Sequence, residues 1–166
     1  FVTQSVRESR LFTITGSGGC GKTRLALEVA RSLLGSFTDG IWLIDLAPLT
    51  DAALVPQTIA SILGIRDVPD RPLLSVLTDH LRNRHLLLVL DNCEHVIESS
   101  AHVADALLQA CGQVHVLATS RELLGMAGEA TWRVIPLSVV DPRGLAVEGA
   151  ESTREVLASN AAQLFV

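Results

Sequence analysis

Short apolar runs alternate along the chain with segments whose apolar positions recur every three or four residues. That alternation of period-2 or continuous runs with helical periods predicts strands separated by helices, and so a parallel sheet. Leu11 to Thr15 reads as a strand entering a glycine-rich turn. Leu25, Ala26, Val29, Ala30 and Leu33 then recur at helical spacing, with Gly35 where a helix would end. Ile41 to Leu46, bounded by Gly40 and Pro48, predicts a second strand buried on both faces. Amphipathic helices are predicted near 53–64 and 73–83, joined by the loop Asp67 to Pro72. Leu86 to Leu90 is the most apolar strand and closes on Asp91. Ala104, Leu107, Leu108 and Cys111 mark a helix that stops at Gly112. Val114 to Ala118 and Trp132 to Leu137 complete the strands, and Pro136 puts the last one's end at a sheet edge or just outside it.

Past Leu137 the pattern changes. Asp141 to Gly149 is turn-rich, and Ser152-Thr153-Arg154-Glu155 forms a capping box opening a helix that carries Val156, Leu157, Ala161, Leu164 and Phe165. The expected organisation is an α/β domain over 1–138, followed over 139–166 by a linker and the first helix of a helical subdomain.

Composition narrows the function classes. Of 13 basic residues, Lys22 is the single lysine and the rest are arginine; 18 acidic residues bring the net charge to −5. An acidic chain of this kind argues against direct nucleic-acid contact, which needs clustered positive charge. With 48% apolar and 19% charged residues the chain can bury a core, and no apolar run nears the ~18 residues of a membrane span. Cys20, Cys93 and Cys111 form no C-x-x-C pair, which fits a reducing, cytoplasmic setting. The chain starts at Phe1 and its one methionine is Met126, so it reads as a piece of a larger protein.

The lysine falls in the most informative segment. Gly16-Ser17-Gly18-Gly19-Cys20-Gly21-Lys22-Thr23 fits G-x-x-x-x-G-K-S/T and stands between the first strand and the first helix. Glycines let a loop wrap closely enough to aim backbone N–H groups at phosphate oxygens, and the following helix adds its positive end. A lysine supplies a compact charge to the outer phosphates, where a planar guanidinium fits poorly, and the Thr23 hydroxyl is placed to ligate Mg²⁺. Placed at random among the 13 basic positions, the lone lysine would land there one time in 13.

Such a loop needs a second oxygen ligand for Mg²⁺, and Asp91, at the end of Leu86-Leu87-Leu88-Val89-Leu90, supplies it. The next residue is Asn92, whose amide cannot accept a proton, so hydrolysis is expected to be slow. Glu94 and His95 stand three and four residues past the strand, too far along the chain to be assigned that task. The fourth strand ends Ala118-Thr119-Ser120-Arg121, a polar end at which Arg121 could read a γ-phosphate.

These segments resemble the STAND class of P-loop ATPases, in the NB-ARC-like branch found in bacterial multidomain transcriptional regulators of the LuxR/AfsR type. The matching strings are FTITGSGGCGKTRLALEVA, IWLIDLAPLTDAALV, LLLVLDNCEH, VHVLATSRELLG and AAQLF. The resemblance implies a three-layer P-loop NTPase fold with five parallel strands in the order 5-1-4-3-2. It implies an ATP/ADP-driven switch joined to effector and sensor domains, with self-association on activation. It also implies phosphate binding by Gly16 to Thr23, Mg²⁺ held by Thr23 and Asp91, and a γ-phosphate sensor in Arg121. Members begin with a Phe-Val-Gly-Arg-Glu-like stretch against the adenine, and here Phe1-Val2 is followed by Thr3-Gln4-Ser5, so that the contact is altered or residues of that stretch are missing from this chain. The base-side Gly-x-Pro motif and the closing winged helix are expected beyond Val166.

Two rival functions fit the same loop. A P-loop kinase would need an arginine-rich lid and an acceptor site, towards which Arg66 and Arg71 are the available residues; a non-hydrolysing scaffold would need a lost cradle. The five histidines show no pairing at zinc-site spacing. Cys20, beside Lys22 at a helix start, reads as filling space in the loop ahead of any redox role. Trp42 and Trp132 read as core or interface anchors.

Overall fold

The computed structural model describes residues 2–136. The chain separates into two compact units, Phe1–Val134 and Ile135–Val166, and the sheet lies in the first. The capping box at Ser152 and its helix fall outside the described residues, as does Leu137.

Helix α1 (Val2–Glu8) leads into β1 (Leu11–Thr15), followed by α2 (Lys22–Ser32), β2 (Ile41–Asp45), α3 (Val55–Ile62), α4 (Leu73–Leu81), β3 (Leu86–Asp91), α5 (Ile97–Ala110), β4 (Val114–Ser120) and β5 (Ala130–Arg133). The five strands form one sheet in the order β2-β3-β4-β1-β5, which is the expected 5-1-4-3-2 order read from the other edge. Every pairing is parallel, so Thr15, Asp45, Asp91, Ser120 and Arg133 end along one rim of the sheet. A ligand of an open parallel sheet lies at that rim.

The central strand explains the layering. All six residues of β3 are buried. Leu86, Leu88 and Leu90 face a core built with α3, α4 and α5, while Leu87 and Val89 face one built with α1 and α2. Apolar residues are required on both faces, which is why this strand shows no polar alternation. β4 divides likewise, with Val116 and Ala118 on the first side and Leu117 on the second.

Two expectations about strands need correction. The second strand is not buried on both faces: β2 is an edge strand in which Ile44 is the one buried residue and Leu43 is 43% exposed. Its Ile-Trp-Leu-Ile run resembles a central strand because edge position is a property of topology, not of local pattern. Trp42 is half-buried against the α3–α5 core, and its Nε1 donates to the Asp39 carbonyl at 3.0 Å. The last strand runs over Ala130–Arg133, not Trp132 to Leu137, because it pairs with β1 in the register Phe12 to Ala130 through Thr15 to Arg133. Trp132 there is 39% exposed.

Helix α1 was not expected. It buries Val6 against the α2 side of the sheet, and Arg7 Nη2 donates to Ser36 Oγ at 3.0 Å. Just after it, Arg10 donates to the carbonyls of Leu108, Cys111 and Val114, closing the C-terminal end of α5 onto the start of β4. No helix among the described residues is long and apolar enough to cross a membrane.

Candidate functional site

The rim of the sheet carries a cleft of about 750 Å³ lined by Gly18, Gly19, Gly21, Lys22 and Thr23 from the loop and α2, and by Asn92, Glu94 and Arg121 from the strand ends. The loop from Gly16 to Gly21 enters α2 through Gly21, whose φ of 93° favours glycine. That N-cap makes no side-chain hydrogen bond, and no acidic residue occupies the first turn. The first N–H groups of α2 are therefore not capped by a side chain, and the helix end carries its partial positive charge without a counter-charge of its own.

Close packing sets the loop's path at Gly16. A β-carbon there would come within 2.7 Å of Cys20 Sγ and 2.8 Å of the Val134 carbonyl oxygen. Cys20 thus lies against the loop's own backbone, in keeping with a space-filling part.

Lys22 is 7% exposed, and its Nζ donates to the carbonyls of Gly16 at 3.0 Å and Ser17 at 3.1 Å. Among the described residues no carboxylate pairs with it. A buried ammonium held only by neutral carbonyls is a costly arrangement, and an anion beside it relieves that cost.

Thr23 Oγ1 donates to Asp91 Oδ1 at 2.9 Å, which joins the loop to the end of β3. Asp91 is 4% exposed. Its Oδ1 also accepts from Thr119 Oγ1 at 2.5 Å, and Oδ2 accepts from Asn92 Nδ2 at 3.2 Å. Thr119 Oγ1 in turn accepts from the Asn92 N–H at 3.0 Å. Thr119, read from sequence as part of a polar end facing a phosphate, instead fixes Asp91. The Thr23 hydroxyl and the Asp91 carboxylate form a hard oxygen pair, the donor chemistry that suits Mg²⁺ with its remaining positions filled by water and phosphate.

Arg121 follows β4 directly. Its side chain is 67% exposed and its Nε lies 3.3 Å from Glu94 Oε1. The guanidinium stands over the loop, with Nη2 3.6 Å from where a Gly18 β-carbon would be. Glu94 is the functional candidate that distance along the chain put out of reach. Asn92 adopts a left-handed conformation, φ 62° and ψ 51°, and starts a 3-10 turn, Cys93–His95, that doubles the chain back. Asn tolerates that conformation better than most side chains, and the turn brings Glu94 into the cleft. The Oε2 atom of Glu94 is buried and has no hydrogen-bond partner among the described residues. Cys93, the first residue of the turn, is fully buried, and burial pushes its thiol up to about 12.

Arg66 and Arg71, considered for a lid, do not line the cleft; Arg71 pairs with Asp79 and holds that carboxyl below its usual range. At the opposite rim, Phe37 packs against His85 and His115 with ring centroids 5.1 and 5.2 Å away. Burial lowers the pKa of His115, whose Nδ1 lies 3.2 Å from the Val6 carbonyl oxygen.

Comparison with known proteins agrees with this fold. The sequence profile of a family described as AAA domain matches residues 6–126. A Mycobacterium tuberculosis protein named as a candidate HTH-type transcriptional regulator is 45% identical over 134 residues, covering 81% of this chain and 15% of its own length. A second, uncharacterized protein of that organism is 39% identical over 161 residues, covering 96% of this chain and 41% of its own. The chain thus spans well under half the length of these relatives. Among solved structures, Cdc6p of Pyrobaculum aerophilum superposes with a TM-score of 0.59 at 18% identity, over 81% of this chain and 45% of that one. A STAND protein with a tetratricopeptide repeat sensor, from Pyrococcus horikoshii, gives 0.59 at 15% identity, over 99% of this chain and 26% of that one. At such identities the likeness establishes the P-loop NTPase-like fold.

Proposed function

Because the chain belongs to the AAA domain family, we propose that it is an ATP/ADP-binding regulatory switch with slow, Mg²⁺-dependent hydrolysis, working inside a larger protein. The observation that carries the reading is Lys22, a buried ammonium without a carboxylate partner among the described residues, beside a helix end that no side chain caps. Phosphates would meet the N–H groups of Gly18 to Thr23 and the Lys22 ammonium. Thr23 and Asp91 would hold Mg²⁺, which supplies charge neutralisation between the outer phosphates. Arg121, exposed and on one ion pair, is free to turn toward a γ-phosphate, and that would let the site tell ATP from ADP.

The DNCEH and ATSRE strings support the narrower STAND, NB-ARC-like assignment, and the relative named as a transcriptional regulator supports a regulatory parent protein in the cytoplasm. In that setting DNA contact belongs to other domains, and the linker and helix beyond residue 138 would relay the nucleotide state to them, with self-association on activation. The kinase and scaffold readings gain no specific support: Arg66 and Arg71 do not line the cleft, and the Gly16 to Thr23 loop keeps its full G-x-x-x-x-G-K-T pattern.

Calorimetry with Mg·ATP and Mg·ADP together with a steady-state phosphate-release assay tests the reading. Both nucleotides should bind, and turnover should stay below ~1 s⁻¹, the low end of ordinary enzyme rates. Absence of binding, or a kcat far above that limit, would contradict the switch.

A further inference from the structure

The proposed hydrolysis lacks an assigned base. An attacking water needs an acceptor for its proton at the cleft wall. Asn92 follows Asp91 where a carboxylate would serve, but its amide carries no acceptor of suitable basicity and its Nδ2 already donates to Asp91. Asp91 itself is committed to Thr23, Thr119 and Asn92. Two other carboxylates line the cleft. Glu28 sits further along α2, 70% exposed and paired with Arg31, remote from the strand ends. Glu94 stands at the strand-end wall next to Asn92, one oxygen on Arg121 and the other buried with no partner among the described residues. Oε2 is sealed from solvent, so Oε1, the oxygen that Arg121 holds, is the one that meets the cleft; once the guanidinium leaves it, a water is the natural donor to it.

We infer that Glu94 is the base for the attacking water, and that its ion pair with Arg121 holds it idle until a γ-phosphate draws the guanidinium away; this rests on the nucleotide reading above. In the step, the water oxygen forms a bond to the γ-phosphorus as the bond from that phosphorus to the β–γ bridging oxygen breaks. The water proton passes to Glu94 and then to the departing phosphate, and ADP leaves with the bridging oxygen. Recognition and hydrolysis are coupled through one contact: ADP, without a γ-phosphate, leaves Arg121 on Glu94. Arg121 and Glu94 therefore compete, which separates this account from a salt bridge that only braces the loop.

The test uses the full chain and the variants Glu94→Gln, Glu94→Asp and Arg121→Ala. Affinities are measured by calorimetry for ADP and for an imido-bridged ATP analogue that does not hydrolyse, and ATP cleavage is followed in single turnover. Glu94→Gln frees Arg121, so the triphosphate analogue should bind up to about fivefold more tightly while ADP is unchanged. The same variant should cleave ATP roughly 100-fold more slowly, the lower range for loss of a general base, with Glu94→Asp falling between. Arg121→Ala should move analogue affinity the opposite way and erase its advantage over ADP. Weakening of the analogue by Glu94→Gln, in parallel with Arg121→Ala, would reduce the pair to a brace and overturn the inference. Cleavage by Glu94→Gln within a few-fold of the unsubstituted chain would overturn it too. Unchanged ADP affinity shows that each variant is folded. Failure of the unsubstituted chain to bind either nucleotide would instead remove the nucleotide reading itself, and this inference with it.

Discussion

The two strand ends that face the cleft are built in opposite ways. At the end of β3, Asp91 is almost fully buried and receives hydrogen bonds from Thr23, Thr119 and Asn92. At the end of β4, one residue beyond the strand, Arg121 is mostly exposed and held by a single contact with Glu94. The first half is fixed before any ligand arrives, so that little ordering is left for binding to do. The second half has little holding it in place, so it can take different positions for different ligands. The proposed switch, holding nucleotide in two states and reporting which one is present, would need both kinds of wall.

The difference makes opposite demands on substitutions. Thr119→Val keeps shape but removes the hydroxyl that donates to Asp91 and accepts from the Asn92 N–H, leaving buried groups unsatisfied. It should lower unfolding free energy by about 1–3 kcal/mol in denaturant titrations, and a stability equal to the unsubstituted chain would show that the β3 end is not rigid after all. Arg121→Ala removes an exposed ion pair, worth at most about 1 kcal/mol and commonly much less. Its unfolding midpoint should barely move, while its preference for triphosphate over diphosphate disappears; a large stability loss there would erase the contrast.

A smaller effect belongs to the far rim. The pKa of His115 is lowered chiefly by burial, so the unfolded chain takes up a proton more readily than the folded one. Stability contributed by the neutral ring is present above the ordinary imidazole value of 6.5 and falls as pH drops below it. In His115→Gln the slope of stability against pH between about 6.5 and 5 should be shallower, measured by thermal melts; an unchanged slope would exclude His115 as the cause.

Much of this arrangement was legible in the sequence because it is local. The glycine loop from Gly16 to Thr23, the β3 run ending at Asp91 and the helix after Lys22 each declare themselves within a few residues, since glycine conformations, helical period and strand burial are short-range properties. What the sequence hid depends on contacts between distant segments. β2 is as apolar as a central strand, and only the sheet order makes it an edge. β5 starts at Ala130 because β1 offers partners from Phe12 to Thr15, and Ala130 carries no strand signal of its own. α1 is seven residues long, too short for a period to show. Glu94 was judged by its distance along the chain, and the left-handed turn at Asn92 cancelled that distance. The sequence clue to that turn is an Asn directly after a strand-end Asp, a residue type that tolerates the left-handed conformation.

The central claim is that Lys22 is a buried charge kept for an anion. Lys22→Met preserves the volume and apolar stem while removing the charge, so the decisive measurement pairs its calorimetric affinity for Mg·ATP with its unfolding free energy in the absence of nucleotide. The account predicts an affinity loss of roughly 10- to 100-fold, the worth of a charge-assisted hydrogen bond, with stability unchanged or raised because an unpaired buried charge is gone. Equal affinity in the two proteins, or a variant that binds poorly only because it has lost its fold, would contradict it.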